Sequence, residues 1–122
     1  MQTLTIRSTF PSLNEVIDVS KRHWSQYAKL KKELTLSVAV QAMGAGLKPV
    51  KRPVEVKFFW YEKNRRRDVD NIAHGAKYIL DGLVEGYILQ NDTQAYVAQI
   101  GHVFDVDKAN PRVEVEIQEI EG

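Results

Sequence analysis

The segment from Val54 to Tyr61 limits the fold most strongly, because large apolar side chains recur along it at every second position. Its regular apolar side consists of Val54, Val56, Phe58 and Trp60. A period of two is typical of a β-strand with one buried face. We therefore expect a sheet with this face packed on the core. The aromatic residues favour packing in that core or in a dimer interface, with stacking on an exposed DNA base as the alternative.

Shorter alternating and helical patterns surround this strand. The expected order is strand 2–7, helix 14–43, strand 53–61, helix 70–85, strand 95–104 and strand 112–118. Ser12 followed by Glu15 fits a capping box at the start of the first helix, which we expect to be interrupted near Ser20. Trp24 and Tyr27 are expected to be packing residues of that helix. The order β-α-β-α-β-β predicts an α+β fold, a mixed β-sheet packed with two main helices.

The length and composition exclude several classes of protein. With 122 residues and no repeat or linker, we expect a single domain over residues 1–122. Cysteine is absent, which excludes disulfides, thiol catalysis and Cys-ligated zinc and is compatible with a reducing cytoplasm. No apolar run is long enough for a membrane span, and the N-terminus lacks the pattern of a secretory signal. We therefore expect a cytoplasmic protein with no membrane partner.

Charge is distributed very unevenly between the two halves of the chain. Residues 1–67 hold 14 basic and 5 acidic side chains, whereas residues 68–122 hold 3 basic and 11 acidic ones. The basic half indicates a polyanionic partner. Carboxylates would repel the phosphates of such a partner unless some of them hold a divalent metal ion. The alternative is that both charged regions are simply solvated surfaces.

The junction of these halves carries the most informative motif, Arg65-Arg66-Arg67-Asp68-Val69-Asp70-Asn71. In an extended or turn segment, the side chains of Asp68 and Asp70 emerge on the same side. Two carboxylates placed in this way suit Mg²⁺, which prefers oxygen ligands and retains several waters. The alternative is structural, since Asp70 is also a suitable N-cap for the helix that follows.

The predicted helix after this motif has one polar and one apolar side. Helical spacing places Asp70, His74, Lys77 and Asp81 in one stripe, opposite Ile72, Ala76, Ile79, Leu80 and Leu83. A metal site would join this stripe to the basic loop before it, whereas a solvent face with Lys77–Asp81 pairing is the alternative. Asn91-Asp92 adds a third candidate acid, in a segment that also reads as an ordinary polar turn. The connection from Gly86 is short enough to return Asp92 beside the start of the helix.

Taken together, these motifs resemble the RusA family of Holliday-junction resolvases, endonucleases often encoded by prophages. The resemblance spans most of the chain and is strongest in Arg66–Ile72, Lys77–Leu83 and Asn91-Asp92. Pro11-Ser12-Leu13-Asn14 and the segment from Asn110 to Val115 also look like family features. The ordered set is fairly specific, although no single piece of it is.

The resemblance implies roles for individual residues. Asp68, Asp70 and Asp92 would bind the divalent metal, Lys77 would assist catalysis, and Asp81 would lie beside the site. In better-known members the lysine follows the Asp-x-Asp motif more closely, by about one helical turn. His74 stands at that shorter spacing here, and Lys77 matches only after the insertion Ala73-His74-Gly75. His74 is therefore the rival of Lys77.

The sequence thus predicts a structure-selective endodeoxyribonuclease that hydrolyses DNA with Mg²⁺, or with Mn²⁺ as a substitute. Its partner would be four-way branched DNA, cut in recombination and repair. The candidate phosphate contacts are Lys63, Arg65, Arg66 and Arg67. Two matched cuts favour a homodimer with one site in each subunit. The alternatives are a non-catalytic nucleic-acid-binding module and a general branched-DNA nuclease.

Overall fold

The computed structural model describes residues 1–7 and 10–121, which form a four-stranded mixed sheet with helices packed against one face. In chain order the elements are β1 Gln2–Ile6, α1 Leu13–Arg22, α2 Trp24–Gly44, β2 Val54–Glu62, α3 Val69–Ala73, α4 Ala76–Glu85, β3 Val97–Val106 and β4 Arg112–Glu119. The α+β fold with a mixed sheet, predicted from the sequence, is confirmed. Within the described ranges, every helix is too short or too polar to span a bilayer.

The sheet has the strand order β1-β4-β2-β3. β4 runs antiparallel to both β1 and β2, whereas β2 and β3 are parallel. A parallel pair needs a crossover connection, which here contains α3 and α4. The register places Val115 of β4 between Leu4 of β1 and Phe58 of β2. These three side chains are buried, so the apolar sides of three strands form one continuous face.

The core lies between this face and the helices. Val38 and Ala42 of α2 join Ile79 and Leu83 of α4 against the strands. All five residues assigned to the apolar side of the second helix are buried, namely Ile72, Ala76, Ile79, Leu80 and Leu83. In β2, Phe58 and Trp60 are buried, which confirms their packing role.

Both helical regions are interrupted, and the first interruption differs slightly from expectation. It falls at His23 rather than near Ser20, and the predicted cap is present, since Ser12 Oγ accepts a hydrogen bond from the Glu15 amide at 3.1 Å. Trp24 begins α2 and is 69% exposed, and its ring packs on that of Tyr27 at a centroid distance of 5.6 Å. Tyr27, one turn later, does pack against the core.

The second region, expected as one helix over 70–85, is two helices separated by His74 and Gly75. The cause is tertiary, because a methyl group on Gly75 would lie 3.0 Å from the Trp60 ring. The chain therefore presses against Trp60 in a tighter turn, with the Lys77 amide bonded to the His74 carbonyl at 3.2 Å. β3 also begins two residues later than predicted, since the Val97 amide still bonds to Thr93.

The crossing of α2 and α4 depends on Gly82. A methyl group at this position would overlap the side chain of Val38 and lie 2.9 Å from the Thr35 carbonyl oxygen. Gly82→Ala is expected to lower the free energy of unfolding by about 1–3 kcal/mol through overpacking. Gly44→Ala is the matched control, because an added methyl there meets nothing within 4 Å. Urea denaturation of both variants measures this, and equal stability of the two would contradict the importance of close packing at Gly82.

Candidate metal and nucleic-acid site

The Asp-x-Asp motif lies at the start of α3. Asp68 is the N-cap residue in extended conformation, and Asp70 lies in the first helical turn. Both residues are exposed. In the described part of the chain, the Asp68 side chain makes no capping hydrogen bond, and Asp70 is not the cap that the structural alternative required. Their carboxylates are therefore accessible to a ligand from solvent.

Asp92 is brought back to α4 by the turn that ends this helix. The amide of Tyr87 bonds to the Val84 carbonyl at 3.0 Å, and the amide of Ile88 to the Leu83 carbonyl at 2.9 Å, which is the Schellman pattern. Tyr87 adopts a φ of 63°, the left-handed conformation that usually requires glycine. Buried Ile88 and Leu89 then anchor the loop, and exposed Asp92 follows three residues later.

The side chains of Lys77, Asp81 and Asp92 form one group beside α4. Lys77 Nζ lies 3.8 Å from Asp81 Oδ2, within one turn of the helix. Burial raises the pKa of the Asp81 carboxyl; Lys77 opposes this rise, and hydrogen bonding to Asp92 adds to it. Asp92 therefore lies against Asp81, in the middle of α4. Two carboxylates in contact repel each other when both are charged, and a cation bound beside them reduces this repulsion.

The side chain of His74 contacts Tyr78, one helical turn later. Its Nε2 lies 3.4 Å from the hydroxyl of Tyr78, and the two rings meet edge to face. Burial, and then the nearby charge of Lys77, lower the pKa of His74. Burial and the neighbouring Tyr27 raise the pKa of Tyr78 to about 12, so its hydroxyl stays protonated and can donate to the imidazole. His74 is therefore a neutral, hydrogen-bonded side chain at neutral pH.

The candidate acids fit a magnesium site in chemistry, although they do not form a complete ligand set. All are carboxylates, and Mg²⁺ needs only one or two of these because it retains waters. Within residues 1–7 and 10–121, no group of three or more His, Asp or Glu side chains is close enough to hold a metal ion. Asp92 is grouped with Asp81, and the assignment of Asp68, Asp70 and Asp92 as metal ligands stays a prediction.

The basic loop between β2 and α3 contains two kinds of cation. Lys63, Arg65 and Arg66 are exposed. Arg67 instead bonds to Glu62 at 3.2 Å and to the Phe10 carbonyl at 3.4 Å. Arg67 thus fastens the loop to the body of the protein. Within residues 1–7 and 10–121 the three exposed cations form no ion pair, so they can meet phosphates from solvent.

Two residues of α2 belong to this region, although the sequence patterns gave them no role in the site. Tyr27 hydrogen-bonds to Tyr78, and Lys31 is near enough to Asp81 to influence its pKa. The available signal was helical spacing, since both lie on the apolar side of α2 with Leu34 and Val38. Which part of α4 they would face depends on tertiary packing and could not be read from that spacing.

Exposure of the acids also indicates the size of the substrate. A cavity of about 500 Å³ lies between α1, α2 and the end of β2, lined by residues that include Phe10, Leu34 and Trp60. Among the described residues, none of the candidate acids lines this cavity. The acids instead lie on an open surface, which suits a macromolecular substrate better than a small molecule.

Comparison with known proteins supplies the family. A family model described as Endodeoxyribonuclease RusA matches residues 16–118 of the chain. This range includes the basic loop, both parts of the Asp-x-Asp motif, Lys77, Asp81 and Asp92. A comparison with curated proteins finds no match.

Proposed function

Because this chain belongs to the RusA family of endodeoxyribonucleases, we propose that it resolves Holliday junctions by paired, Mg²⁺-dependent hydrolysis of DNA. The observation that carries the proposal is the family match over residues 16–118. The contact of Lys77, Asp81 and Asp92 supports it, because it joins two acids and a cation at an exposed surface. Mn²⁺ would substitute for Mg²⁺, and the setting would be prophage-type recombination and repair.

We assign each side chain a role in this reaction. Asp68, Asp70 and Asp92 would hold Mg²⁺, which when bound polarises the phosphate and activates water. Lys77 would offset the negative charge that grows on the phosphate during cleavage. Asp81 would hold the Lys77 ammonium in position through their 3.8 Å ion pair. The Schellman turn after α4 would keep Asp92 at the surface against Asp81.

The exposed cations of the basic loop would bind the phosphates that flank the cut. Arg65→Ala combined with Arg66→Ala is expected to weaken junction binding and flatten its salt dependence, by about 0.9 in log–log slope for each phosphate that the protein no longer binds. Lys51→Ala with Arg52→Ala is the matched control, because it removes the same charge at the opposite end of β2. Fluorescence anisotropy at several salt concentrations measures the slope. An unchanged slope in the loop variant would show that the loop does not touch the DNA backbone.

We further propose that the active form is a homodimer. Four-way DNA has two strands to cut, and a two-fold dimer presents one site to each of them. The outer side of α2 supports this, because Leu36, Val40 and Met43 lie at helical spacing and are exposed. If a second copy packed the same three residues of its α2 against these, both apolar surfaces would be buried.

Structure selectivity tests the proposed function against a general branched-DNA nuclease. The purified protein is incubated with a four-way junction, a three-way flap and a linear duplex of the same sequence. We expect two symmetrically placed nicks in the four-way junction and little cutting of the duplex. Equal rates on the flap and the junction, with unpaired nicks, would favour the general nuclease instead.

A further inference from the structure

The packing register between α2 and α4 places Lys31 opposite the acid pair. Methyl groups added to Gly86 and Gly82 would meet Ala39 and Val38, respectively, so later residues of α4 face later residues of α2. At the other end, Tyr78 hydrogen-bonds to Tyr27. On α2, Lys31 lies between Tyr27 and Val38. On α4, Asp81 lies between Tyr78 and Gly82, which are the partners of those two residues.

The exposure of the neighbouring lysines agrees with this register. Lys29 and Lys32 are exposed, and Lys29 pairs with Glu33 on its own helix at 4.0 Å. Lys31 alone of these three is half-buried. Lys77 Nζ lies 3.8 Å from Asp81 Oδ2, and the packing register of the two helices places Lys31 across their interface from Asp81.

We propose that Lys31 is a further residue of the nuclease site, placed across the α2–α4 interface from Asp81 so that it contacts the DNA phosphate being cut. This inference rests on the proposed function. Lys31 and Lys77 come from different helices, α2 and α4, so each helix would supply one ammonium group to the phosphate. Two cations stabilise the charge that develops during hydrolysis better than one.

Charge balance distinguishes this role from a structural one. Asp81 and Asp92 carry two negative charges, and Lys31 and Lys77 balance them. A divalent cation held by Asp68, Asp70 and Asp92 would, together with the two lysines, balance the charges of these acids and of Asp81, so an entering DNA phosphate would depend on the lysine ammonium groups for its stabilisation. Removal of Lys31 should therefore have opposite effects on metal affinity and on the cleavage rate. It strengthens the attraction of the acids for metal but weakens the stabilisation of the phosphate.

The test compares Lys31→Gln with Lys31→Arg and with the exposed control Lys32→Gln. Calorimetric titration of Mn²⁺ into the DNA-free protein measures metal affinity, and single-turnover cleavage of a four-way junction at saturating Mg²⁺ measures catalysis. For Lys31→Gln we expect about threefold tighter Mn²⁺ binding and at least about tenfold slower cleavage. Lys31→Arg should recover most of the cleavage rate, and Lys32→Gln should change neither quantity.

Slower cleavage by Lys31→Gln without tighter Mn²⁺ binding would overturn the inference, because it would indicate a structural role. If Lys31→Gln cuts and binds Mn²⁺ like the wild type, the inference is overturned and the proposed function stands. If the wild type cuts no DNA, the proposed function fails; unchanged Mn²⁺ affinity in Lys31→Gln then overturns the inference as well. Should Lys31→Gln fail to fold, Lys31→Met retains the aliphatic part of the side chain for packing and takes its place in both measurements.

Discussion

Asp92→Asn is expected to slow junction cleavage by at least about 100-fold. The amide keeps the shape of the side chain but loses the charge that would hold Mg²⁺. Asp68→Asn and Asp70→Asn should each have the same effect, because all three carboxylates are assigned to the metal. Junction binding in EDTA should survive or tighten in each variant, since repulsion between carboxylate and phosphate is reduced.

Glu85→Gln is the control for these substitutions. Glu85 is an exposed acid in the last turn of α4, and no part of the proposed site includes it. It should cut DNA at the wild-type rate in the same single-turnover assay. If Asp70→Asn also cuts like the wild type, the metal assignment of the Asp-x-Asp motif is wrong.

Lys77→Ala is expected to lower the cleavage rate by about 100-fold while junction affinity changes only a few-fold. The ammonium group lies beside Asp81, at the acid pair, whereas His74 lies against Tyr78. His74→Ala should therefore retain most of the activity. Single-turnover rates and binding titrations of the two variants separate the chemical step from DNA affinity.

The pH dependence of these variants gives an independent distinction. Because burial and the charge of Lys77 lower the pKa of His74, its imidazole is neutral at and above neutral pH. Its removal should leave the pH–rate profile between about pH 6 and 8 unaltered. If His74→Ala is inactive and Lys77→Ala is active, the family motif must be aligned without the insertion Ala73-His74-Gly75.

The elements with a periodic pattern of apolar residues could be predicted from the sequence. The alternating apolar residues of β2 and β4 and the apolar side of α4 indicate which side chains are buried, because one side of each element faces the core. The break at Gly75 could not be predicted, since it depends on the Trp60 ring from a distant strand. The exposure of Trp24 could not be predicted either. The sequence of one helix does not show whether its first turn lies over the core.

The candidate site also contains some features that the sequence predicts and others that depend on tertiary packing. The Asp-x-Asp motif, Lys77 and Asp92 were visible as local patterns, and the ion pair of Lys77 with Asp81 follows from helical spacing. The approach of Asp92 to Asp81 depends on the Schellman turn, which contains Tyr87 where glycine is usual. The place of Lys31 depends on how closely α2 can approach Gly82.

Metal-triggered cleavage tests the central claim most directly. The purified protein is bound to a synthetic four-way junction in EDTA, and excess Mg²⁺ is then added while the products are followed on a denaturing gel. The proposed function predicts binding without cleavage in EDTA and paired nicks after Mg²⁺ is added. Stable binding with no cleavage in Mg²⁺ or Mn²⁺ would contradict it and would identify the chain as a non-catalytic nucleic-acid-binding module.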